Sequence, residues 1–135
     1  MILVLRGLFL VTLVSMLAVT GWASAQCPLF GVPHAVITHP WFIATLADTY
    51  WGFLTFFVWV AYKQTAWTSR AAWLVAILVL GNIAMASYCL RELWRAPADG
   101  RVADVLTVRR AGLDALGPIL AGLGLAIVGI GLVGR

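Results

Sequence analysis

Long apolar runs alternate with short polar breaks along this chain. Apolar residues dominate positions 2–25, interrupted by Arg6, and then positions 41–62, 71–90 and 113–133. Each run approaches the roughly 20 residues that an α-helix needs to cross the hydrocarbon of a bilayer. No water is available there to satisfy backbone N–H and C=O groups, so each run must be helical. The connections leave no room for a soluble domain. The pattern therefore predicts one all-α membrane domain over residues 1–135, a four-helix transmembrane bundle with up-and-down topology.

The first run has a second reading. Arg6, the apolar stretch and Ala23-Ser24-Ala25 before Gln26 resemble a secretory signal with a small-residue cleavage site. The stretch exceeds the roughly 7–15 residues of a signal core and can span a bilayer by itself. A retained first helix is the expectation; a cleaved signal would leave three helices.

Aromatic residues mark the ends of the runs, where a ring with a polar N–H or O–H favours headgroup depth. Trp22 and Trp41 are expected at one interface. Trp59, Tyr62, Trp67 and Trp73 are expected at the other, with Tyr88 and Trp94 back at the first. Trp51 falls mid-run and reads as a packing residue.

Composition supports a bilayer setting. The chain is 63% hydrophobic and 10% charged, against about 25% charged for soluble domains. A soluble core of this size cannot hide so much apolar surface. The net charge of +4 does not point to nucleic acid. The cations sit at the ends of apolar runs, near headgroups, and no basic helix carries aromatic interleaving.

Charge does not decide orientation on four crossings. With the N-terminus cytoplasmic, Arg6, Lys63, Arg70 and Arg135 lie inside, and Arg91, Arg95, Arg101, Arg109 and Arg110 outside. The signal-like start and the linker 26–40, without Lys or Arg, favour a cytoplasmic N-terminus. Cys27 and Cys89 would then share the outer face, read as unpaired thiols rather than a disulfide, which needs an oxidising compartment and close Cβ atoms.

The fourth run repeats glycine every seven residues at Gly117, Gly124 and Gly131, close to one helix face. Glycine lets helices approach closely, and packing rather than hydrophobicity joins helices in lipid. Packing within the chain is the expectation, with self-association the sharper alternative.

Candidate chemistry centres on Asp48. A carboxylate at the centre of a membrane helix costs roughly 2.5–3.5 kcal/mol. Thr45, Asp48, Thr49, Gly52 and Thr55 follow three-and-four spacing and form a polar stripe expected to face the bundle interior. Asn82 lies mid-run and needs partners. On four crossings Asp48 and Asn82 both fall roughly 11 Å below the same interface. A polar cluster of Thr45, Asp48, Tyr50 and Asn82 is expected, either a proton or ligand site or a structural hydrogen-bonded group. His34, His39 and Cys27 match no zinc spacing, so no metal site is expected, and His39-Pro40 reads as a helix start. No catalytic constellation or phosphate-binding loop occurs, and nothing points to a cofactor.

The segment 39–95 resembles the domain of unknown function 1475 family. The resemblance rests on Pro40-Trp41-Phe42, Ala44-Thr45-Leu46, Asp48 and Tyr50, and Val58-Trp59-Val60-Ala61-Tyr62-Lys63, with a weaker continuation over 88–94 and 104–106. The family usually places Phe where Thr49 stands. The resemblance implies a multi-spanning membrane protein and brings no activity, cofactor or catalytic residue.

The sequence thus points to a non-enzymatic bundle that binds lipid, a hydrophobic molecule or partner helices, its own copy included. The alternative is a small proton-coupled transporter, or a subunit of one, that uses Asp48.

Overall fold

A computed structural model of the chain describes residues 1–109, 111 and 115–133. Leu113, Arg110, Gly134 and Arg135 lie outside the described residues. The described chain is helical throughout its ordered elements: α1 (Ile2–Gln26), α2 (His34–Ile37), α3 (Pro40–Lys63), α4 (Trp67–Leu80), α5 (Asn82–Trp94), α6 (Val102–Thr107) and α7 (Leu116–Val133). The all-α bundle expected from the pattern is present. By length and composition α1, α3 and α7 can cross a membrane, and α4 is a shorter apolar helix.

Local sequence sets the helix ends. Pro40 opens α3 at the first helical position, where its missing N–H costs nothing. The α3 helix closes on Lys63, whose charge suits the negative end of the helix dipole. The Gly81 backbone has φ +53° and ψ −126°, a conformation that residues with a Cβ rarely adopt. It ends α4 and starts α5 in a single residue.

That glycine corrects the third predicted crossing. Residues 73 and 88 on one straight helix would stand about 22 Å apart. Instead the Trp73 and Tyr88 rings meet edge to face with centroids 4.8 Å apart. The run at 71–90 is therefore a hairpin, with α4 as one leg, α5 as the other and Gly81 at the tip. Its legs have 14 and 13 residues, about 20 Å each, too short to span roughly 30 Å of hydrocarbon. A Cβ at Gly81 would lie 2.6 Å from the Phe53 ring, so α3 presses against the tip.

The remaining helices pack around this hairpin. The α1 helix runs antiparallel to α5: Arg6 donates to the carbonyls of Leu93 (3.0 Å) and Ala96 (2.8 Å) at the end of α5. The α7 helix runs beside α4, with Gly117 against the Trp73 indole and Gly124 against Val79 and Leu80. Gly131 meets Phe30 and Leu29 in the connection after α1. The glycines spaced by seven thus each lie against another part of the same chain.

One end of the molecule consequently gathers the starts of α1, α4 and α7, the ends of α3 and α5, and α6. The other end holds the finish of α1, then α2, the start of α3 and the finish of α7. Tyr88, Cys89 and Trp94 lie at the first end with Trp59 and Trp73, not across the molecule as four crossings required. Cys27, which caps the far end of α1, is correspondingly remote from the buried Cys89. The main core lies at the hairpin and contains Val60, Trp73, Ala76, Ile77, Ala84, Tyr88 and Ala121. A smaller core of Ile2, Leu93 and Val105 ties α1 to α5 and α6.

Candidate functional site

The hairpin brings together charges far apart in sequence. Lys63 at the end of α3 and Glu92 in the last turn of α5 are both fully buried, with Nζ 2.5 Å from Oε2. Lys63 also donates to the Val105 carbonyl of α6. Arg91 and Arg95 approach the other Glu92 oxygen at 3.1 and 3.6 Å. A carboxylate at a helix C-terminus opposes the helix dipole, and three cations around Glu92 offset that.

A hydrogen-bonded layer continues from this pair. Gln64 donates to the Tyr88 hydroxyl at 3.1 Å and accepts from Ser69 at 3.2 Å. Arg70 donates at 2.7 Å to the Gln64 carbonyl, which the end of α3 leaves without a partner inside the helix. Trp59 stands beside both Lys63 and Tyr88, and its indole N–H donates to the Leu106 carbonyl. These residues fasten α3, α4, α5 and α6 to one another. A buried pair gives little net stability, because desolvation cancels most of the attraction, but it strongly penalises any arrangement that separates the partners.

Beyond the hairpin tip lies open space. A cavity of about 700 Å³ is walled by α1 at Leu17, Thr20 and Gly21 and by α7 at Leu123 and Ile127, with Val79, Leu80 and Ile83 of the hairpin as its floor. Its lining is almost wholly apolar, with hydroxyls at Thr20, Ser24 and Ser87. Such a space can hold an aliphatic chain or ring system, and it presents no nucleophile with a base. Among the described residues no group of His, Cys, Asp and Glu could hold a metal ion.

The polar stripe of α3 lies elsewhere. Thr45, Asp48 and Asn82 are exposed on the described chain, and Tyr50 is about half exposed with its ring edge on Phe53. The threonine hydroxyls are satisfied within α3: Thr45 donates to Trp41, Thr49 to Thr45 and Thr55 to Trp51. Of the expected inward stripe, Thr45, Asp48, Gly52 and Thr55 are thus exposed and Thr49 is half-buried. Phe53, Phe56, Phe57 and Val60 occupy the face toward the hairpin. Asp48, five residues before Phe53, points about 140° away at 100° per residue. Burying four bulky apolar side chains outweighs burying three threonines that bond to their own helix.

The sequence marks Lys63 only as a cation at the end of a run and Tyr88 only as an interfacial aromatic, and it assigns no site role to these two or to Gln64 and Glu92. Their signal is a lone acid between two arginines, Arg91-Glu92 and Arg95, at the end of an apolar run. Only the turn at Gly81-Asn82 gives that acid its partner on α3. No curated protein and no solved structure matches this chain. A family model described as "protein of unknown function (DUF1475)" matches residues 2–123, from the start of α1 into α7, so the chain belongs to that family.

Proposed function

We propose that this protein is a non-catalytic membrane protein that holds a hydrophobic molecule from the bilayer between α1, α7 and the tip of the hairpin. The apolar cavity above Gly81 carries this reading. It is formed by three elements that otherwise leave a gap, and ligand pockets are mostly apolar concavities with few polar groups. The α1 helix is then a retained part of the fold, supported by buried Ile2 and by the two hydrogen bonds of Arg6 to α5.

The hairpin also bears on orientation. Arg6, Lys63, Arg70, Arg91, Arg95, Arg101 and Arg109 all belong to one end of the molecule, and no described Lys or Arg belongs to the other. The near-even tally of four crossings becomes strongly one-sided. The positive-inside tendency then favours that end, with the N-terminus, on the cytoplasmic side. Such asymmetry counts against insertion in both directions, on which a dual-topology transporter relies.

The test is occupancy. Native mass spectrometry of the protein purified in mild detergent is expected to find about one lipid-sized molecule retained per chain, as one cavity of this size implies. Gly21→Leu fills the cavity from α1, where the glycine has open space beside it, and is expected to abolish retention without loss of helicity. Equal retention by both proteins would overturn the reading.

A further inference from the structure

We infer that the molecule held in the cavity is an amphiphile with an anionic headgroup, which sits at Arg91 and Arg95 beside Trp94 while its tail occupies the cavity. The inference rests on the cavity reading above and adds the chemistry of the other end of the ligand. A second crevice of about 470 Å³ opens at the cationic end between α1, α5 and α7, lined by Leu13, Ser87, Leu90 and Leu116 together with Arg91, Trp94 and Arg95. Leu13 and Ser87 line both this crevice and the cavity, so the two spaces share a wall. Together they form one track along α5. From Arg95 to Ile83 the helix rises about 18 Å, which suits an extended acyl chain.

The chemistry along the track changes once. At its outer end are two guanidiniums and an indole. From Leu90 inward it is apolar except for the hydroxyls of Thr20, Ser24 and Ser87, and that of Ser87 already donates to the Ile83 carbonyl at 2.7 Å. A free anion would use only the outer end, and a hydrocarbon only the inner end. An amphiphile uses both. Among the described residues Lys63, Arg91 and Arg95 all approach the Glu92 carboxylate. Arg95 is the most accessible of the three, with its side chain 42% exposed and its contact to Glu92 the longest. Guanidinium matches phosphate and carboxylate in shape as well as charge. Trp94 is exposed at the same level, where an indole lies among headgroups.

The experiment places the full chain in nanodiscs containing equal phosphatidylglycerol and phosphatidylcholine and identifies the lipid retained after release into detergent. The wild type is expected to retain phosphatidylglycerol in about tenfold excess, the scale of one charge-assisted hydrogen bond. Arg95→Gln should bring the ratio close to one with the same total lipid per chain, and Arg95→Lys should keep part of the preference. Leu13→Trp, which narrows the shared wall, should lower phosphatidylglycerol retention although both arginines remain. No preference in the wild type, or an unchanged preference in Arg95→Gln, would overturn the headgroup assignment while leaving the cavity reading intact. Loss of the preference on adding inorganic phosphate would overturn it in favour of a free-anion site. Absence of any retained lipid would remove the cavity reading as well.

Discussion

The two halves of α3 are similar in composition and opposite in surroundings. From Pro40 to Gly52 no side chain is buried, and Thr45 and Asp48 are exposed. From Phe53 onward the helix carries Phe56, Phe57, Trp59 and Val60 into the main core and ends at the buried Lys63. The change falls where the Phe53 ring meets Gly81. Composition does not draw this boundary; the depth reached by the hairpin does. Six helices share the cationic half of the molecule, and four helices with a cavity share the other.

The largest expected effect lies in the packed half. Glu92→Ala leaves Lys63 buried without its carboxylate and should destabilise the fold by about 3–5 kcal/mol. Reversible unfolding in mixed micelles measures this. Pairing Lys63→Met with Glu92→Leu should recover most of the loss, since removing both charges also removes their desolvation cost. A double variant as unstable as the single would mean that Glu92 acts mainly through Arg91 and Arg95.

A smaller effect is expected at the boundary itself. Gly81→Ala forces a Cβ into a backbone conformation unsuited to it, at about 1–3 kcal/mol, and against the Phe53 ring. Adding Phe53→Leu should relieve the clash and leave the backbone term, so the second substitution should recover only part of the loss. Full recovery would make the contact, and not the turn, the feature that divides α3.

The smallest effect belongs to the open half. Asp48→Asn keeps the shape of an exposed side chain and should change unfolding free energy by no more than about 0.5 kcal/mol. A loss comparable to that of Glu92→Ala would erase the contrast between the halves and show that the α3 stripe is covered in the working state.

Much of this fold was legible in sequence. Run length and charge scarcity identified an all-α bundle, and α1, α3 and α7 lie where the apolar runs predict. The hairpin was not legible as such, because glycine is common in apolar helices and Gly81 interrupts no hydrophobic pattern. Without the turn, a straight helix places Tyr88, Cys89 and Trp94 at the opposite end from the one they occupy. The Lys63–Glu92 pair was hidden for the same reason, since 29 residues separate its members and no helical spacing relates them. Asp48 stands out in the sequence by its charge and by the polar stripe of its helix. The composition of its helix does not say which of two faces turns inward until the neighbour of Phe53 is known.

One consequence of the turn at Gly81 concerns chain direction. The segment from Trp67 to Trp94 is long enough to pass through a bilayer as one straight rod. Folded back, it ends at the same end of the molecule as it began, and α7 starts there beside the start of α4. Straightened, it would finish at the far end, and α7 would have to run in the reverse direction. It would then lose the alignment that sets Gly117 on Trp73 and Gly124 on Val79. The backbone of one residue therefore sets the direction in which α5 and α7 run.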